Sequence, residues 1–142
     1  MRRLILIFAV LTASSCTDDV LEASYPSMPE AVAEGAVERG WIPAWIPAEA
    51  TDLQEVHNVD SNQSALSFTA PAAWHPPAQC RPDASGEPPG PAFNRQWLPS
   101  PEILVKTYDL YSCSPGHSGT MLETVAVRRD TRHVVHWRVL AR

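Results

Sequence analysis

Apolar and polar residues alternate along the second half of the chain and recur at wider spacing in the first. Residues 64–69 (SALSFT) place Leu66 and Phe68 on one face of a strand. Residues 103–111 (ILVKTYDLY) read as a long strand. Residues 121–128 and 133–140 alternate on either side of a polar turn, Arg129-Asp130-Thr131-Arg132, and predict a hairpin. Val125 and Val127 share one face of that hairpin, as do Val135, Trp137 and Val139. Upstream, Ser27-Met28-Pro29-Glu30 offers a capping box with proline in the first turn. A helix over about 28–39 follows, weakened by Gly35 and stopped by Gly40. Thr51-x-x-Gln54 offers a second capping box and predicts a short helix over 52–57. The predicted fold is therefore α+β. Two short N-terminal helices pack on an antiparallel sheet of about four strands, with a long Pro-rich loop.

Proline shapes what lies between these elements. Trp41-Ile42-Pro43-Ala44-Trp45-Ile46-Pro47 uses a four-residue unit twice, and its prolines forbid a regular helix interior. Nine of the fourteen prolines lie between Pro71 and Pro101, which predicts a long ordered loop with Trp74, Phe93 and Trp97 as packing points.

The N-terminus changes the picture from a fold to a compartment. Arg2 and Arg3 precede an eight-residue apolar run, residues 4–11, and then Thr12-Ala13-Ser14-Ser15-Cys16. That is the layout of a secretory signal peptide, too short to span a bilayer, which needs about 20 apolar residues. With cysteine directly after the small residues it is similar to a bacterial lipoprotein signal, which implies cleavage of residues 1–15, acylation of Cys16 (palmitate among the chains) and anchoring to a membrane surface. Thr17 after the cysteine, where aspartate usually signals inner-membrane retention, favours the outer membrane, facing the periplasm. The expected organisation is a leader over 1–15, a polar tether over 16–26 and one globular domain over 27–142. In that oxidising compartment, with Cys16 lipidated, Cys80 and Cys113 remain as an even pair and are expected to form a disulfide. Neither lies in C-x-x-C or beside a ligand-spaced histidine, which disfavours two free thiols in a redox or metal role.

Charge excludes one function class. The net charge of −5 becomes −7 when Arg2 and Arg3 are lost, which argues against nucleic-acid binding. Residues 18–60 hold ten acids against the single base Arg39, whereas the last stretch is rich in arginine. Such asymmetry can steer a charged partner. The simpler reading of the C-terminal arginines is a solvated strand face protected from aggregation.

No catalytic spacing stands out. The five histidines form no H-E-x-x-H or cysteine-histidine set, and His133 and His136 point to opposite faces of one strand, so no metal or other cofactor is expected. Asp60-Ser61-Asn62-Gln63-Ser64 imitates a calcium loop, but Ala65 and Pro71 stand where glycine and glutamate are required. Gly116-His117-Ser118-Gly119 is a turn and lacks the centred serine of a nucleophile elbow. Trp41 and Trp45 could form a flat platform for a partner or for sugar rings. A plug covering the sheet is the reading preferred for such large aromatics.

The run from Gly40 to Asn62 (GWIPAWIP, then ATDL-x-E-x-HNVDSN) resembles the "WLP.WLP..A..I.E.H..DTN" pattern of small bacterial proteins grouped as YbbD-head-like domains. Val59 and Ser61 depart mildly from it. The resemblance covers about residues 40–68 and implies a surface-anchored accessory domain, with Glu55, His57, Asp60 and Asn62 as its characteristic cluster. That cluster is expected to be a hydrogen-bonded turn first and a ligand site second. With Trp41 and Trp45 it makes up the candidate ligand or partner site. The expected function is a non-enzymatic, lipid-anchored domain that binds another envelope protein. The alternatives are a periplasmic immunity or inhibitor lipoprotein, whose acidic N-terminal half suits a basic toxic enzyme, and a hydrolase using Glu55, His57 and Asp60.

Overall fold

Strands that bury both faces need cover on both sides, and the computed structural model of this chain, which describes residues 19–113 and 120–141, is built around such strands. In chain order the elements are β1 (Val20–Ser27), α1 (Met28–Ala33), β2 (Thr51–Asn58), β3 (Ser64–Thr69), β4 (Cys80–Pro82), α2 (Pro101–Thr107), β5 (Tyr108–Cys113), β6 (Met121–Arg128) and β7 (His133–Leu140). The strands form one sheet in the order β1-β2-β3-β7-β6-β5-β4, antiparallel throughout. β3 and β7 join the two halves of the chain, with Ser64 opposite Arg138 and Thr69 opposite His133. The leader, Cys16, the start of the tether and the Gly116–Gly119 turn lie outside the described residues.

The sheet lies between two irregular layers. On one face Met28, Ala31, Ile42 and Ile46 from the 28–50 segment pack on Leu53, Leu66, Phe68, Val125 and Val134. On the other, Leu98 and Leu104, with Phe93 and Trp97, pack on Val56, Ala65, Ala126, Val135, Trp137 and Val139. The Trp137 indole N–H donates to the Pro89 carbonyl at 2.8 Å and ties the Pro-rich segment to the sheet. Trp74 instead packs on the first face, beside Phe68 and Trp45.

The predicted α+β fold, with two N-terminal helices on about four strands, is corrected by a mostly β architecture of seven strands. Residues 52–57 are strand β2, not a helix. The Thr51 capping signal is spent on a bulge, where Asp52 adopts φ 54° and the register shifts before Gln54. Period-two burial of Leu53, Glu55 and His57 on one face then outweighs the local helix signal. Residues 20–26, expected as tether, form most of β1, because Leu21, Ala23 and Tyr25 alternate with polar residues and pair with His57, Glu55 and Leu53. The first helix ends at Ala33 rather than near residue 39, since Gly35 takes φ +77°. Residues 103–111 divide into α2 and β5. Ser100 caps α2, its Oγ accepting from the Ile103 N–H, and Pro101 opens the first turn. The hairpin over 121–128 and 133–140 and the strand over 64–69 form as predicted.

The Pro-rich stretch is not wholly loop. Cys80–Pro82 adds β4 at the sheet edge, where a proline costs no ladder bond. Cys80 lies opposite Cys113 of β5, and the two form the expected disulfide across the pair. It closes a span of 33 residues, which by loop-closure entropy stabilises the fold by about 3–4 kcal/mol. Replacing both cysteines with serine is expected to lower the unfolding free energy in urea by about that amount. A loss below about 1 kcal/mol would mean that other contacts hold this edge.

Candidate functional site

Side chains alternate between the faces of a strand, so the register decides which of them meet. On the face under the 28–50 segment, His57 of β2 stands opposite Ser64 of β3, Ser64 opposite Arg138 of β7, and Arg138 opposite Glu123 of β6. One step along, Glu55 is opposite Leu66, and Leu66 is opposite His136. A polar row thus crosses an otherwise apolar face, and Glu55, His57 and His136 are only 1%, 5% and 1% exposed.

Buried polar groups need partners, and here they find one another. His57 Nδ1 lies 2.8 Å from Glu55 Oε2, and His136 Nε2 lies 2.7 Å from Glu123 Oε1. Arg138 Nε donates to Ser64 Oγ at 3.0 Å. Burial pushes the Glu55 carboxyl above its ordinary range, against the hydrogen bond and charge of His57. Burial lowers His136, against its bond to Glu123. Burial also pushes Glu123 up, but the bond from His136 and the charges of His136 and Arg138 outweigh it and leave the carboxyl low. Both shifts favour a neutral imidazole beside a carboxylate in the second pair. Within the first pair, Glu55 Oε1 and His57 Nε2 have no hydrogen-bond partner among the described residues.

The repeated Trp-Ile-Pro unit covers both pairs. Ile42 and Ile46 are buried in the core, and the turns Ile46 N–H to Pro43 O and Ala50 N–H to Pro47 O set the repeat. Trp41 stacks on the His57 ring at 4.5 Å, and Trp45 meets His136 edge-on at 5.3 Å. Each tryptophan is half-buried, as the plug reading requires. The Arg39 guanidinium lies 4.0 Å from the Trp41 ring. Beside this stack a cavity of about 310 Å³ is lined by Arg39, Gly40, Trp41, His57, Asn58, Val59, Asn62 and Arg138.

The cluster read from the sequence divides here. Glu55 and His57 meet under Trp41, and Asn62 reaches the cavity rim from a φ of 58°. Asp60 is exposed in the β2–β3 turn, where Asn58 Oδ1 accepts from the N–H groups of Asp60 and Ser61 at 3.1 and 2.7 Å. Sequence reasoning missed Ser64, Glu123, His136 and Arg138 as parts of the site, and noted Arg39 only as a lone base. A signal existed for β7, since His136 and Arg138 share the face of Val134 by alternation.

The pairs have the orienting half of a general-base arrangement and lack the rest. Ser64 Oγ accepts from Arg138 rather than bonding to His57, whose Nε2 is closed off from solvent. Among the described residues no group of three or more His, Cys, Asp or Glu side chains is placed to hold a metal ion.

Residues 19–69 match the family described as the YbbD head domain. The match runs from the start of β1 to the end of β3 and includes Trp41, Trp45, Glu55 and His57. It bears out the likeness to YbbD-head-like proteins over that segment, whose edge strand β3 is completed by β7 from outside it. No curated protein and no solved structure matches the chain.

The lowered pKa of His136 has a definite sign for stability. The unfolded chain takes up the proton first, so the contribution is complete above about pH 6.5 and is lost as pH falls below it. The urea midpoint is therefore expected to fall less between about pH 6.5 and about pH 5 in a His136→Gln variant than in the wild type. Equal slopes would locate the titration elsewhere.

Proposed function

We propose that this protein is a non-enzymatic binding domain of the bacterial cell envelope, held on a membrane by lipid attached to Cys16. The observation that carries the binding half is the arrangement of the polar row. Trp41 and Trp45 lie over the two buried histidines, and a polar cavity opens beside them with the His57 ring in its wall. An uncharacterised accessory role agrees with the YbbD head segment. The anchoring half rests on the leader ending at Cys16, and the disulfide suits the oxidising space to which it would lead.

Because β1 begins at Val20, only Thr17, Asp18 and Asp19 separate a lipidated Cys16 from the sheet. A link of that length spans at most about 14 Å, which holds the domain close to the membrane rather than on a long leash. The inhibitor alternative gains no support at this face, where Arg39 and Arg138 do not suit a basic toxin.

Growth with labelled palmitate is expected to label the wild type, with the protein in the membrane fraction. Cys16→Ser is expected to lose both label and membrane association; label retained in that variant would refute the anchor. A photo-crosslinking residue at Asn62, on the cavity rim, is expected to trap one envelope component in cells, and its failure to form any specific adduct would contradict the binding role.

A further inference from the structure

Two arginines reach the same cavity without a carboxylate partner, in a chain that is acidic overall. Arg39 is the one base among ten acids in residues 18–60, yet among the described residues it makes no ion pair. Its Nη2 donates to the Glu34 carbonyl at 2.7 Å, and the guanidinium lies against Trp41. Room for it comes from Gly35, where an added Cβ would sit 2.8 Å from Arg39 Nη1. Arg138 stands directly opposite Glu123, but His136 holds that carboxylate, and among the described residues the Arg138 guanidinium bonds to Ser64 alone. Glu55, the buried acid of this face, is likewise held by His57. Each glutamate thus bonds to a histidine, and neither forms an ion pair with Arg39 or Arg138.

Arg39 Nε and Nη1 and Arg138 Nη1 and Nη2 are left without protein acceptors among the described residues. Among the described residues no carboxylate lines the cavity. Guanidinium groups fixed in place and short of acceptors match the planar or tetrahedral oxygens of an anion. Asn58 and Asn62 add amides at the rim, and the His57 ring forms part of the wall. A volume of about 310 Å³ admits an oxyanion attached to a small polar body.

We infer that this cavity is an oxyanion subsite in which Arg39 and Arg138 grip a carboxylate or phosphate group of the bound envelope component. The inference deepens the binding role and does not depend on the anchor, since lipidation at Cys16 and anion binding are read by separate measurements.

The test is NMR titration of the purified full-length protein at low ionic strength with inorganic phosphate and, separately, with acetate. Saturable shifts are expected at Trp41 and His57, with affinity weakened at least tenfold in Arg39→Gln and in Arg138→Gln. Lys106→Gln, a cation on α2 distant in sequence, should leave the affinity unchanged. Saturation by phosphate alone assigns a tetrahedral group, and saturation by acetate assigns a carboxylate. Because Arg138 is half-buried and its loss could disturb the sheet, Arg39→Gln, at an exposed position, decides the outcome if Arg138→Gln fails to fold. Saturation by neither ion, or affinity indifferent to both arginines, overturns the proposal.

Discussion

A buried and a part-buried carboxylate on one face of a sheet must each be held by something, and in this protein each is held by a histidine. Leaving a buried carboxylate unpartnered costs several kcal/mol, so the Glu55–His57 and Glu123–His136 pairs constrain everything laid over them. They fix the register of β2 against β3 and of β6 against β7, because a slip of one residue would send each acid to the other face. They also explain why the chain repeats its Trp-Ile-Pro unit. Each isoleucine fills the apolar core, and each tryptophan closes over one imidazole. The repeat is thus matched to two polar pairs on the sheet beneath it.

The same arrangement ties the matched segment to the rest of the chain. β1, β2 and β3 lie in the segment that matches the YbbD head domain, but Arg138, His136 and Glu123 come from β6 and β7. The pairing of β3 with β7 completes both the sheet and the cavity. The opposite face is covered by the Pro-rich segment, which the Trp137–Pro89 bond and the Cys80–Cys113 disulfide hold in place.

Much of the β architecture was legible wherever burial and alternation agreed. Residues 64–69 and the 121–140 hairpin are uniform alternating runs, and they fold as read. The errors came where a local signal competed with a tertiary one. Thr51-x-x-Gln54 looks like a helix cap, yet the buried partners of Leu53, Glu55 and His57 draw the segment into the sheet. Leu21, Ala23 and Tyr25 alternate through five residues of acidic, polar sequence, a pattern easily read as tether. Glu55, His57, Asn62 and the two tryptophans were visible as candidates because they lie within about twenty residues of one another. Glu123, His136 and Arg138 were not, since only the strand order brings them to His57 from the far end of the chain.

The central claim is that each histidine bonds to its glutamate, so that neither carboxylate forms an ion pair with Arg39 or Arg138. Nitrogen-15 NMR of the imidazole rings at neutral pH tests it most directly, because it reports which ring nitrogen carries the proton. The account predicts a proton on Nδ1 of His57, donated to Glu55, and a neutral His136 protonated on Nε2, donated to Glu123. A His57 ring without a proton on Nδ1, a His136 ring protonated on Nδ1 instead of Nε2, or a doubly protonated His136 would contradict it.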